Sequence, residues 1–423
     1  MLLFIFFTIL ALAFFYLFIR GPYKQSPLWL MLSAWMIGLG VPQLHLSRLE
    51  KDWYPEYWGL VLISLLSFSL GFFVFYYIWE HWPIWNKVKF LVKDTVSVKN
   101  LRIVIYVLFA VSLVALYLFY VRAGNFPLLA EDTDVFRFEA DEQVPGLINY
   151  TAQFARLFIP LSFFLFFFEG FGWRKHWDLV LLSLLGTIAL ILFASRTQIF
   201  FIDLWVMALY LFMRRPNWKQ ALKFYPVFLL ISILVLAAVP LYRQYKSYGT
   251  TDYLAGVTAI DSSGYNPFKK ALLPIYVGVS FNQQALLHAH EYYETHPIQN
   301  GRVTLDPFTN ILGLDKLKSD FDLCQIFKCW WNTGTYLFPF VQDFGAKAFY
   351  FIPFLMAGIL TLLWRYWIDV KNFLSHNLYA YAVFFMVMTI YLSFTVRAEM
   401  YLDLFLLLAI YLFVSKTHSY SRV

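Results

Sequence analysis

Charge is scarce in this chain. Of its 423 residues only 14% are Asp, Glu, Lys or Arg, while 61% are hydrophobic. Soluble domains carry about a quarter charged residues, so a soluble globular protein is excluded. Cysteine is almost absent, with Cys324 and Cys329 the two examples, which excludes a disulfide-dense secreted scaffold. No GxxxxGKS, GxSxG or HExxH occurs, nor an Asp-Asp pair suited to a soluble nucleotide-sugar transferase. No internal repeat is visible. The first segment, MLLFIFFTILALAFFYLF, lacks a basic leader and a small-residue cleavage site, and reads as an uncleaved helix.

What the chain has in excess is apolar and aromatic surface. Aromatics reach 22%, with 47 Phe, 29 Tyr and 15 Trp. Phe suits lipid-facing helices, and Trp and Tyr suit the headgroup belts. Apolar runs long enough to span a bilayer fall near 2–19, 28–46, 57–79, 103–121, 147–168, 178–194, 198–213, 224–242, 347–364, 376–396 and 399–414. The expected fold class is an all-α polytopic membrane protein with about eleven (10–14) transmembrane helices. The expected division is 1–242 with about eight helices, 243–346 as one large outside loop containing short helices, and 347–423 with about three helices.

Orientation follows from the bias of basic residues. With the N-terminus outside, the inner connections hold Arg20, Lys24, Lys87, Lys89, Lys93, Lys99, Arg102, Arg174, Lys175, Arg214, Arg215, Lys219, Lys223, Arg365, Lys371, Lys416 and Arg422, which is 17. The short outer loops hold six: Arg48, Lys51, Arg122, Arg137, Arg196 and Arg397. The C-terminus is then cytoplasmic. The net charge of +7 is accounted for by the inner loops and calls for no nucleic acid.

Within the long loop, FKKALLPIYVGVSFNQQALLHAHEYYE reads as a helix or re-entrant segment bent at Pro274. Both cysteines lie in the loop, and an oxidising compartment would permit a disulfide between them. No metal-ligand pattern is strong enough to call for zinc.

The charges outside the inner anchors are mostly arginines at the edges of apolar runs. Arg196 is the only charged residue between Leu179 and Ile202. A guanidinium at mid-bilayer costs about 2.5–3.5 kcal/mol on insertion scales. Two helices meeting in a tight outer turn would remove most of that cost. Arg137 lies in DVFRFEAD, Arg156 inside the fifth run, Arg243 at the end of the eighth, and Arg397 in TVRAEMY. Guanidiniums bind phosphate in bidentate fashion where water is scarce, so several on one face could grip a diphosphate. The plainer explanation of each is a snorkelling anchor or an ion pair with Asp203 or Glu399. Asp203, seven residues after Arg196, shares its helix face and is expected to pair with it, directly or through a third group. Asp343, in FPFVQDFGAKAF, and Glu291, beside His288 and His290, are candidates for a general base on a sugar hydroxyl. Two histidines two apart on a helix point away from each other, so surface or interfacial roles are the expectation for them.

The layout resembles the Wzy-type O-antigen and oligosaccharide repeat-unit polymerases of the bacterial inner membrane. The likeness rests on about a dozen helices with one large periplasmic loop before the last few. It rests further on GNFPLL followed by an Arg-bearing segment (Gly124 to Arg137), the turn Ser195-Arg196-Thr197, and NTGTYLFPFVQDFG at 332–345. The resemblance implies a GT-C-like, inverting glycosyltransferase with no cofactor and no metal. Its substrates would be undecaprenyl-diphosphate-linked glycans within the lipid bilayer, with a separate chain-length regulator as partner. By motif match, diphosphate binding falls to Arg196 first, then Arg137, with Arg243, Arg397 and Arg156 in support and Ser195 and Thr197 adding hydroxyls. Asp343 is the first choice for base, with His288, His290 and Glu291 as alternatives. A rival is an O-antigen ligase, for which His288, His290 or His296 would be essential. A lipid-linked oligosaccharide flippase is a further rival, though it would place charges on both sides.

Overall fold

The computed structural model describes residues 1–82, 95–170, 172, 174–194, 196–312, 323–328, 331 and 333–416. The described chain is helical apart from an antiparallel pair of two-residue strands, β1 (Thr95–Val96) and β2 (Ser415–Lys416). Eight helices among the described residues are long and apolar enough to cross a membrane. The chain is therefore a polytopic helical membrane protein.

The first half runs through α1 (Leu2–Arg20), α2 (Pro27–Gly40), α3 (Pro55–His81), α4 (Val98–Ala123), α5 (Thr133–Gln143), α6 (Gly146–Ala152), α7 (Ala155–Glu169), α8 (Trp177–Leu192) and α9 (Arg196–Arg214). There follow α10 (Trp218–Tyr248), α11 (Tyr253–Val257), α12 (Pro267–Thr295), α13 (Arg302–Leu312), α14 (Leu323–Ile326), α15 (Phe338–Phe344), α16 (Ala348–Val370), α17 (Phe373–Met388) and α18 (Ala398–Val414). Three of the expected spans, α8, α17 and α18, have 16, 16 and 17 residues. At 1.5 Å per residue these reach only about 24–26 Å.

Two stripes on α3 show how the bundle sorts its side chains. Val61, Phe68 and Phe72 are buried, while Leu62, Leu66 and Leu70 are exposed on the other side. In water that second stripe would be a liability; facing lipid it costs nothing. The buried side packs along α16, with Ser64 Oγ donating to Phe349 O at 3.0 Å and Trp79 Nε1 to Asp369 Oδ2 at 2.8 Å. Close approach is set by Gly71, where a Cβ would stand 2.5 Å from Phe354 O.

The basic connections gather at one end. Arg102 Nη2 donates to Lys175 O (3.1 Å), Arg214 Nη2 to Phe166 O (3.4 Å), and Ser97 N to Val414 O (2.8 Å). Arg365 pairs with Glu80 at the same end as the Trp79–Asp369 bond. Arg196, at the opposite end of α9 from Arg214, lies about 27 Å away along the axis.

The span expected at 147–168 is present as Gly146–Glu169, with a tight turn at Gln153 and Phe154 between α6 and α7. The break is stitched by local bonds, Gln153 N to Tyr150 O at 3.2 Å and Phe154 N to Thr151 O at 3.1 Å, and Ser112 Oγ covers Ala152 O at 2.9 Å. Irregular backbone at membrane depth is tolerated only inside protein or along a cavity. The helix expected around Pro274 within 243–346 is the 29-residue α12, which continues through Pro274 and is buried almost throughout from Tyr276 to His290. Cys324 is disulfide-bonded, and Cys329 lies outside the described residues.

The α3–α16 contact gives a direct test. Gly71→Leu should cost about 1–3 kcal/mol through overpacking and lower the thermal midpoint in detergent. Gly59→Leu, where a side chain meets open space, should leave it unchanged. Equal midpoints for the two variants would contradict the packing described.

Candidate functional site

The turn between α8 and α9 is built as two helices meeting. α8 stops at Leu192, Ala194 takes a left-handed conformation (φ +52°), and α9 starts at Arg196. Ser195 lies outside the described residues. A cation at the first position of a helix sits against the positive end of the dipole, so α9 itself gains nothing from Arg196. The loop after α4 is fixed against this turn. Gly124 caps α4 at φ +77°, a conformation that favours glycine. Phe126 packs on Phe119 and Phe193, and Leu128 N donates to Leu192 O at 2.9 Å. The GNFPLL stretch and the turn at 194–197 are thus neighbours. Arg137 lies on α5, but its side chain is outside the described part of the structure.

Arg196 does not meet Asp203. Seven residues separate them by about 10 Å along the helix, and each has a nearer partner. Arg196 Nη2 donates to Tyr391 Oη at 2.6 Å, with the guanidinium 5.8 Å from the Tyr391 ring. Asp203 accepts from Ser232 Oγ of α10 at 2.8 Å. Tyr391 is held in turn through its backbone carbonyl by Asn282 of α12. Asn282 Oδ1 accepts from Trp331 Nε1 (3.0 Å) and Thr333 Oγ1 (2.9 Å). One buried amide therefore connects α12, the 331–333 segment and the turn that carries Tyr391.

A cavity of about 640 Å³ opens here. Arg156, Arg196, Arg243 and Arg397 all line it, with Thr197, and the acids on its wall are Glu399 and Asp403. Four guanidiniums and two carboxylates share this wall. Neither Arg196 nor Arg397 forms an ion pair with a described acid. Two long helices, α9 and α18, begin at this wall, and helix N-termini add partial positive charge and free N–H groups. Tyr248 and Tyr253 stack at 3.5 Å between ring centroids on another side. The site is anion-attracting and aromatic.

Arg156 differs from the other three. Its Nε and Nη2 donate to Asp403 Oδ1 at 3.2 and 3.1 Å, and both side chains are almost fully buried. Tyr150 Oη also donates to Asp403 Oδ1 at 3.0 Å, and Tyr381 Oη to Oδ2 at 3.3 Å. Its charge is thus largely matched inside the protein. Asp403 is the functional-region residue that sequence reasoning missed. The signal was present, since an acid inside the apolar run YLDLFLLL is as anomalous as Arg196.

Asp343, the expected base, is a helix cap. It is fully buried, and its two oxygens accept from Val303 N at 3.1 Å and Thr304 N at 2.7 Å at the start of α13. It lines neither this cavity nor the one beside it. The alternatives also lie elsewhere. Glu291 pairs with Lys51 (2.8 Å) and His288 (3.5 Å), and His290 with Glu294 (3.2 Å). His290 is buried against Tyr57 and Phe349 rather than interfacial. Burial holds both imidazoles below the ordinary histidine range, aided at His288 by Lys51 and opposed at His290 by Glu294. His296 stacks on Tyr292.

Two substitutions separate fastening from chemistry. Asp403→Asn should leave Arg156 buried without a counter-charge and cost about 3–5 kcal/mol, read as a lower midpoint in detergent. Asp403→Leu combined with Arg156→Met should recover most of that loss. Asp343→Ala should cost about 1–2 kcal/mol through the lost cap and leave ligand affinity at the cavity unchanged. No protein-family description, curated protein or solved structure matches this chain.

Proposed function

We propose that this protein is a polysaccharide polymerase of the bacterial inner membrane, joining undecaprenyl-diphosphate-linked oligosaccharide repeat units at the periplasmic face. The observation that carries this reading is the cavity where Arg196, Arg243 and Arg397 converge beside the matched Arg156–Asp403 pair. Substrates outside the cytoplasm must arrive already activated, since no nucleotide triphosphate is at hand. A lipid diphosphate is such a substrate, with an anionic head for the arginines and an apolar tail for the bilayer. The resemblance of the Gly124–Arg137 segment, the 195–197 turn and the 332–345 run to Wzy-type polymerases supports the same chemistry. So does the basic bias, which puts this end of α9 outside, the N-terminus in the periplasm and the C-terminus in the cytoplasm.

In the reaction, the non-reducing-end hydroxyl of the incoming unit attacks the anomeric carbon of the growing glycan. The bond to the diphosphate breaks, and undecaprenyl diphosphate leaves with the electron pair. Negative charge grows on the leaving group, so fixed guanidiniums and helix N-termini lower the barrier most when they are aimed there beforehand. A GT-C-like arrangement with inversion fits a single displacement of this kind. A ligase reading requires an essential histidine, and no histidine lines either cavity.

Purified protein given the lipid-linked repeat unit of its host should produce a ladder of lengthened glycans. Arg196→Ala should lower that activity at least ~100-fold, about 2.7 kcal/mol, while the protein still inserts and stays monodisperse. Replacing His288, His290 or His296 singly should leave the ladder in place. Transfer to lipid A core in place of a ladder, abolished by one histidine change, would establish the ligase instead.

A further inference from the structure

Beside the arginine cavity lies a larger one, of about 920 Å³. Its character is different. Apart from Arg156, whose charge Asp403 matches, the charged residues on its wall are one Arg397 and one Glu399. The remainder is mostly apolar, with the neutral polar groups of Asn149, Gln153, Thr333, Gln342 and Ser393 set among it beside the rings of Tyr150 and Phe338. Gln342 is 2% exposed, and its Oε1 has no hydrogen-bond partner among the described residues. A buried amide oxygen left unmatched costs about 1–3 kcal/mol. Amides that both donate and accept, set beside aromatic rings, suit a neutral sugar.

The two cavities share a wall. Arg156, Thr333, Leu392, Arg397 and Glu399 line both. Glu399 is the carboxylate of that wall, half-buried at the first turn of α18. It makes no hydrogen bond or ion pair with a described residue, whereas Asp403 is held by Arg156 and two tyrosines. Asp203 and Asp343 line neither cavity.

We propose that the larger cavity seats the terminal sugars of the acceptor unit, and that Glu399 takes the proton of the attacking hydroxyl. This rests on the polymerase reading of the arginine cavity. The acceptor O–H bond breaks as the new glycosidic C–O bond forms, the proton passes to the Glu399 carboxylate, and the diphosphate departs on the arginine side. The simpler role for Glu399, favouring the α18 dipole, would alter stability but not the turnover of folded protein.

Three variants test it, with undecaprenyl diphosphate and the free repeat-unit oligosaccharide as separate binding probes. Glu399→Gln should slow ladder formation by about 10²–10⁴-fold, with undecaprenyl diphosphate binding no weaker than in the wild type and the acidic limb of the pH–rate profile lost. Gln153→Leu should weaken oligosaccharide binding about tenfold and spare the lipid diphosphate, while Arg196→Ala should do the reverse. A wild-type rate in Glu399→Gln would overturn the base. Loss of the same ligand in Gln153→Leu and Arg196→Ala would overturn the two-cavity assignment. If the wild type binds both probes separately yet makes no ladder, the polymerase reading fails while the division into sugar and anion cavities stands.

Discussion

A charge inside a membrane protein must be matched, and the Arg156–Asp403 pair is where this chain meets that constraint. The pair joins the start of α7 to α18, and Tyr150 of α6 and Tyr381 of α17 complete it. Four helices are thereby fixed around one point. Attraction between the two ions is strong in such surroundings, but so is the cost of removing them from water. Their net contribution lies in position: Arg196 and Arg397 stand on the wall of a framework whose own charge is already balanced.

That framework has a second hub in Asn282. Its amide holds Trp331 and Thr333 on one side and the backbone of Tyr391 on the other. Since Tyr391 receives Arg196, the direction of that guanidinium is set by an amide on α12, far away in sequence. The break between α6 and α7 belongs to the same design. Asn149 and Gln153 before and within it and Arg156 after it all reach the cavity walls.

Much of the bundle is legible in the sequence, because lipid imposes a length and an apolarity that no other environment asks for. The arginines are legible for the same reason, and Arg156, Arg196, Arg243 and Arg397 do meet at one cavity. Partners are not legible. Asp203 shares a helix face with Arg196, yet axial rise keeps them apart and Ser232 is nearer. Asp343 looks like an exposed acid before a helix, but its role depends on the backbone of residues 303 and 304, some forty positions away. The break at Gln153 carries no glycine or proline to announce it. Such features depend on contacts between distant segments, which no local pattern records.

The short pairing of β1 with β2 has a further meaning. Together with the bond from Ser97 N to Val414 O, it fastens the C-terminal end of α18, while Asp403 fastens the other end to Arg156. A rod clamped at both ends cannot slide along its axis. The wall bearing Arg397 and Glu399 therefore stays at one height, and whatever occupies the two cavities meets a stationary edge rather than a moving one.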